Sequence, residues 1–247
     1  MQKNSIMIFD LVLPLFNPLP MWKERLSQNI NSLIRTYPEI KHQINSIIIV
    51  NDGSTKNVSK NDLNILDTMN IPCHIFGYSK NMGKGFALRH GVMHSNSSYC
   101  IYTDIDMPFG IKSIKAILEE LKNGVDIATG YRNKKSYFQE APFIRRIISK
   151  TLMKVNRSIL NLPFEDTQAG IKGFNLVGKK LFLNTTINRF LFDLEFMMMA
   201  HNTKNIHVSS VEVMPANDLQ LSNFKIKVLL QEIINLCRII YQRKNYK

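Results

Sequence analysis

Two carboxylates one residue apart, Asp104 and Asp106, close the apolar run Tyr99–Thr103 in the stretch YCIYTDIDMP. An Asx-type turn at a strand end needs at most one of them. Alternate residues of an extended segment point the same way, so a D-x-D pair can grip a single hard cation. Mg2+ and Mn2+ take such oxygen ligands and leave coordination positions for substrate phosphates. The chemistry this spacing suits is metal-assisted handling of a phosphorylated substrate. D-x-D alone is common by chance, and its place after a core-like strand gives it weight.

Two further stretches point the same way. Asn51-Asp52-Gly53-Ser54 follows the apolar run Ile47–Val50. A tight turn accounts for Asp and Gly there, and Asp52 also suits a hydrogen bond from the imino N–H of a nucleobase. Asn81-Met82-Gly83-Lys84-Gly85 opens a helical pattern. Glycines allow close backbone approach to a ligand, and a helix N-terminus attracts anions. The P-loop signature GxxxxGK[ST] is absent, and Leu88 stands where a dinucleotide fingerprint needs its third glycine. A nucleotide is the expected ligand, held by neither of those devices.

Such residues need elements to position them. Short β-branched runs at Ile6–Leu13, Ser46–Val50, Cys73–Tyr78, Tyr99–Thr103, Asp126–Thr129 and Ile206–Val213 read as strands. Helical periodicity appears at Trp22–Thr36, Gly85–His94 and Ile111–Leu121. The alternation predicts an α/β fold with a mostly parallel sheet covered on both faces. Ligands of such sheets bind at the carboxyl ends of the strands. The first five strands end in LVLPLFNP, VNDGS, GYSKNMGKG, TDIDMP and ATGYR, so the unusual residues gather at one edge.

The bulk numbers narrow the partners. The 247 residues suit one large α/β domain. Lys and Arg number 32 against 19 Asp and Glu, a net charge of +13, which favours a polyanionic partner. Aromatic residues are not interleaved with the basic patches, as a stacking platform for nucleic acid would require. The three cysteines are far apart with no CxxC pair, which fits a reducing compartment and argues against a zinc ribbon. No unbroken apolar run of about 20 residues occurs. Phe143–Leu160 and Phe224–Tyr241 pair an apolar stripe with many basic residues, the pattern of a helix on an anionic membrane or of a core-facing helix with a solvated basic face. The expected organisation is one domain over 1–221, with 222–247 a basic amphipathic helix and candidate membrane-surface anchor.

VLPLFN, VNDGS, NMGKG, TDIDM, TGYR, DTQAGIKGF and RFLFDLE occur here in the order seen in family-two glycosyltransferases. Over roughly residues 6–215 the chain resembles the branch containing dolichyl-phosphate glucose and mannose synthases and bacterial polyprenyl-phosphate glycosyltransferases. Asp166–Phe174 followed by Arg189–Glu195 is similar to the glucosyltransferase side. The resemblance implies a Rossmann-like GT-A fold and assigns roles. Pro14, Phe16, Asn17 and Asp52 hold base and ribose, with Gly83 and Lys84 bordering the nucleotide. Asp104 and Asp106 hold Mg2+ or Mn2+ against the diphosphate. Arg132 and Arg145 take the acceptor phosphate. Asp166, Gln168, Asp193 and Glu195 line the sugar pocket, with Asp166 and Gln168 also placed among the catalytic residues. Departures are Pro18 after Asn17, Tyr131 within Gly130-Tyr131-Arg132, and Pro108 where mannose synthases often carry a metal-assisting glutamine.

The implied activity is inverting, metal-dependent transfer of a hexose, glucose favoured, from a nucleotide sugar, UDP favoured, to a polyprenyl or dolichyl phosphate. The implied place is the cytoplasmic face of a membrane, with peripheral attachment to an anionic surface and no nucleic-acid partner. A glycosyltransferase acting on a glycan or protein acceptor is the first alternative. A non-catalytic basic binding module on the same scaffold is the second, since fold does not fix function.

Overall fold

The computed structural model describes residues 7–59, 71–132, 143–164, 166–214 and 226–243. The strands are β1 (Phe9–Leu15), β2 (Ile44–Asp52), β3 (Cys73–Tyr78), β4 (Tyr99–Thr103), β5 (Ile127–Arg132), β6 (Ile171–Phe174) and β7 (Val208–Val213). The main helices are α1 (Trp22–Thr36), α2 (Lys84–Met93), α3 (Gly110–Lys122), α4 (Phe143–Ser158), α5 (Leu176–Leu183), α6 (Phe192–Asn202) and α7 (Ile226–Gln242).

One seven-stranded sheet runs β3-β2-β1-β4-β6-β5-β7. The pairs β1–β2, β1–β4, β2–β3 and β5–β7 are parallel, and both antiparallel pairs involve β6. The sheet is therefore mostly parallel, as expected, with one reversed strand near its middle. That reversal matters for the site. The amino end of β6 lies at the same edge as the carboxyl ends of β4 and β5, through the registers Thr103↔Ile171 and Thr129↔Lys172.

Apolar patterning dictates how the layers close. In β2, Ile47–Val50 are all buried, as a strand covered on both faces requires. On one face α1 buries Trp22, Leu26, Ile30 and Leu33, a 3.6-period stripe, and α3 buries Ile114, Ile117, Leu118 and Leu121. On the other face α2, α5 and α6 cover Val12, Ile48, Tyr102 and Phe174. Every residue from Phe192 to Ala200 in α6 is buried. Buried all round, with only Asp193 and Glu195 as acids in its first turn, α6 is the central helix of that layer.

The amphipathic helices α4 and α7 pack on this second layer. Leu152, Val155, Leu236, Ile239 and Ile240 join its core, and the Arg243 guanidinium donates to the Ile159 carbonyl at 2.7 Å. The C-terminal helix is thus fastened to the body by its inner face. Among the described residues, no helix is long and apolar enough to cross a membrane. Ile6, the segment 215–225 and residues 244–247 lie outside the described residues.

Candidate active site

The expected residues converge at the strand-end edge, and their bonding refines what each does. Asp104 follows β4 directly. The Lys84 ammonium, from the first residue of α2, donates to Asp104 Oδ1 at 2.5 Å. Gly170 stands against the same pair because the β4–β6 register places it beside Asp104. A Cβ added there would lie 2.7 Å from Asp104 Oδ2 and 3.0 Å from Lys84 Nζ. Burial alone would lower the Lys84 pKa, but the Asp104 carboxylate, then those of Asp193 and Asp106, outweigh it and hold the pKa above 10.5. Asp106 is pushed up from 3.8 by the protein packed around it and by the Asp104 charge, although its side chain still meets solvent. Two carboxylates near enough for the Asp104 charge to act on Asp106, open to solvent at a strand end, fit a divalent cation. Among the described residues, no group of three or more His, Cys, Asp or Glu side chains is arranged around one metal position. The remaining ligands would therefore be substrate phosphate and water.

Lys172 was assigned no part by the sequence. It is wholly buried on β6 and donates to the Thr167 carbonyl at 3.0 Å, the Ala169 carbonyl at 3.0 Å and Asp193 Oδ1 at 2.7 Å. All three ammonium protons are spent. Tyr102 Oη donates to the same Asp193 oxygen at 2.5 Å. Burial lowers the Lys172 pKa, while Asp193 opposes that fall. This buried triad forms the floor on which the Asp166–Gly170 loop rests.

Arg132 and Asp166 form a bidentate pair. Arg132 Nε donates to Oδ2 at 2.7 Å, Nη2 to Oδ1 at 2.8 Å, and the Arg132 backbone N–H to Oδ2 at 2.9 Å. The Gln168 N–H donates to Oδ1 at 3.0 Å. Burial would raise the Asp166 pKa, but Arg132's hydrogen bonds and charge overcome it and hold the group below 3.8. The structure thus spends the Asp166 carboxylate on fixing Arg132 and its own loop. Gln168 is half-buried, with Nε2 donating to Thr167 Oγ1 at 3.3 Å.

Other expected residues are fasteners. Glu195 is buried and accepts from the Thr186 N–H at 2.8 Å, the Thr186 hydroxyl at 2.7 Å and the Ile187 N–H at 2.8 Å. It holds the turn ahead of α6 rather than a sugar pocket. Asp52 is buried, with its carboxylate accepting from Asn81 Nδ2 at 2.7 Å, the Met82 N–H at 2.7 Å and the Gly83 N–H at 2.9 Å. It pins the glycine loop. The glycines also answer to packing. Cβ atoms at Gly83 and Gly85 would sit 2.4 Å from the Asn188 carbonyl oxygen and 2.5 Å from that of Ile187. Gly83 also has φ +105°, which disfavours a side chain. The close approach is to the segment before α6, not to an open ligand face.

Asn17 joins two loops. Its N–H donates to Ser54 Oγ at 3.0 Å, and its Oδ1 accepts from the Thr55 N–H at 2.8 Å and the Lys56 N–H at 3.0 Å. Phe16 is 49% exposed beside it, with Pro14 half-buried on β1. Arg145 falls in the first turn of α4, and its side chain lies outside what the structure describes.

A metal-suited carboxylate pair and a lysine bound to it thus meet at one sheet edge, with the glycine loop that carries the lysine pinned by Asp52. The profile of Glycosyl transferase family 2 matches residues 10–183, most of the described sheet and this edge. The chain belongs to glycosyl transferase family 2. It is a glycosyltransferase, and its fold is GT-A-like. The dolichyl-phosphate beta-glucosyltransferase ALG5D of Trichomonas vaginalis is 26% identical over 96% of this chain and 74% of its own. The dolichyl-phosphate beta-glucosyltransferase of Saccharomyces cerevisiae is 25% identical over 68% of this chain and 55% of its own. A prophage bactoprenol glucosyl transferase homolog of Escherichia coli is 26% identical over 65% and 49%. Among solved structures, mannosyl-3-phosphoglycerate synthase from Rubrobacter xylanophilus superposes with TM-score 0.65 at 15% identity, over 96% of this chain and 74% of its own. Glucosyl-3-phosphoglycerate synthase from Mycobacterium tuberculosis, solved with Mn2+, UDP-glucose and phosphoglyceric acid, superposes with TM-score 0.59 at 12% identity, over 96% and 78%. These likenesses establish the fold. The lysine floor and the segment 187–195 extend the site; α6 and α7 fall beyond the matched residues.

Proposed function

We propose that this glycosyltransferase moves glucose from UDP-glucose to a polyprenyl phosphate, inverting the anomeric centre, with Mg2+ or Mn2+ held by Asp104 and Asp106. The carrying observation is the Lys84–Asp104 contact against Gly170 beside a second carboxylate with a raised pKa. The printed names of the glucosyl-transferring relatives support the sugar and the lipid phosphate.

The site chemistry follows from charge. The leaving nucleoside diphosphate gathers negative charge, and the bound metal would neutralise part of it. Lys84 adds a fixed positive charge at the same carboxylate. A phosphate acceptor is already an anion and attacks the anomeric carbon without a general base. The roles of Arg132 and Arg145 are in binding that phosphate, for which a guanidinium held in one orientation, as Asp166 holds Arg132, is suited. Gln168 takes the sugar hydroxyls above the floor that Asp193 and Lys172 form, while Phe16 and Asn17 face the nucleoside and Asp52 holds the adjoining loop.

An acceptor with a bilayer-bound tail requires work at a surface, here the cytoplasmic face of an anionic membrane. In support, α7 exposes Leu230, Ile233, Ile234 and Tyr241, and α4 exposes Ile147, Lys150, Lys154 and Arg157. Basic residues near such a surface contribute about 1 kcal/mol each. The test is transfer of label from a panel of UDP- and GDP-sugars into the organic phase with polyprenyl phosphate. UDP-glucose should serve best. Label that enters only water-soluble products would refute the lipid acceptor.

A further inference from the structure

The segment 187–191, which packs against the glycine loop, is itself held from behind by a residue of the C-terminal helix. Glu232 on α7 accepts the Leu191 N–H at 2.9 Å. Leu191 precedes the first turn of α6, where no side chain of the N-cap residue itself supplies a cap. A carboxylate at that position satisfies an otherwise orphaned backbone donor and suits the positive end of the helix dipole. The same α6 turn carries Asp193, the partner of Lys172 and Tyr102. Arg189 lies between two acids, its charge acting on Glu232 on one side and on Asp52 on the other. Asp52 in turn holds the Asn81–Gly83 turn. Gly83 has Arg189 Cγ and the Asn188 carbonyl within 3.1 Å of where its Cβ would stand. The Glu232 carboxylate is also met by Asn235 on its own helix and by the backbone of Phe190, so it grips the segment at two successive residues.

We propose that Glu232 is a positioning residue for the transferase site: from α7 it holds the 188–191 segment, and through it the glycine loop that carries Lys84. It touches no reacting group. Its influence passes through backbone contacts that leave no room to adjust, since both glycines already stand at closest approach. The inference rests on the Lys84–Asp104 cluster being the transfer site. It does not depend on which acceptor is used.

The test compares Glu232→Ala and Glu232→Gln with Arg238→Ala, an exposed change on the same helix. Hydrogen exchange of peptides covering 81–86 and 186–191 is read first, because it requires no substrate. The inference expects at least tenfold faster exchange in both peptides for Glu232→Ala. It also expects partial restoration in Glu232→Gln, whose amide oxygen still accepts from Leu191, and no change in Arg238→Ala. Turnover per folded molecule, with whichever acceptor the wild type uses, should fall at least tenfold in Glu232→Ala. Faster exchange confined to α7 and 189–191, with 81–86 and turnover unchanged, would reduce Glu232 to a local structural contact and overturn the inference. If alanine prevents folding, the same comparison is made with glutamine: slower turnover together with faster 81–86 exchange supports it, and wild-type values for both overturn it. A wild type that ignores polyprenyl phosphate but glucosylates another acceptor would refute the acceptor reading and leave the Glu232 comparison standing.

Discussion

Lys172 donates to the Asp193 carboxylate at 2.7 Å, and neither side chain is more than 5% exposed. A lysine stripped of water is costly unless every proton finds an acceptor, and here Asp193 and two loop carbonyls take all three. The pair ties β6, α6 and the loop before Gly170 into one rigid floor. Lys172→Met should strand the Asp193 charge and release both carbonyls. The expected cost is about 3–5 kcal/mol, as for removing one partner of a buried ion pair. Chemical denaturation of both proteins checks it. Whatever folded fraction remains should turn over at least about 100-fold more slowly, in line with losing a preorganised charge near the reacting centre.

Gly85 makes a second, steric prediction. Its missing Cβ would meet the Ile187 carbonyl oxygen at 2.5 Å and Phe192 Cβ at 2.7 Å, both on elements with little freedom. Gly85→Ala should destabilise by about 1–3 kcal/mol, as overpacking does. Gly124→Ala is the control for backbone strain alone. It carries φ +92° with nothing within 4 Å, and its melting temperature should fall without loss of specific activity.

The Arg132–Asp166 pair predicts that lysine cannot replace arginine. The fork uses Nε and Nη2 against two carboxylate oxygens, a geometry an ammonium cannot reproduce. Arg132→Lys should raise the KM for the acceptor more than that for the donor, by about tenfold, the equivalent of about 1.4 kcal/mol. Steady-state kinetics with each substrate varied in turn read the split.

Far from this edge, Asp10 sets part of the acid stability. It is fully buried at the other end of the sheet. It accepts from the Ser46 hydroxyl at 2.7 Å, Asn45 Nδ2 at 2.9 Å, the Ser95 hydroxyl at 2.7 Å, and the Asn96 and Ser97 N–H groups at 3.1 Å. Burial would raise its pKa, but these bonds prevail and hold it below 3.8. A carboxylate with a depressed folded-state pKa stabilises fully above its unfolded value and loses that contribution as pH falls through the folded one. Asp10→Asn should therefore lower stability at neutral pH by about 2 kcal/mol, with the deficit narrowing in strong acid. Urea midpoints measured from neutral pH down to pH 3 give the comparison.

The sequence disclosed the elements whose pattern is carried by burial on one face or in one run. The stripe Trp22–Thr36 and the strand Cys73–Tyr78 come out with the bounds the structure has. What it hid has physical reasons. β6 has four residues, two of them Lys172 and Gly173, and neither marks a strand. α6 is buried on every side, so no helical period shows in its composition. The carboxylates Asp104 and Asp106 were legible because acids ending an apolar strand are conspicuous. Lys172 was not, because a lysine in a short segment looks solvated until the fold encloses it. Asp52 and Glu195 were legible as important, but their partners, and so their fastening role, required the structure.

The most direct measurement follows labelled glucose from UDP-glucose into polyprenyl phosphate, for wild type and Asp106→Asn, across a Mn2+ titration that starts in EDTA. The account predicts organic-phase label from the wild type that vanishes in EDTA and returns with Mn2+, and a rate about 100-fold or more lower for Asp106→Asn at every metal concentration. Label that persists in EDTA, or an Asp106→Asn rate equal to wild type, would contradict it.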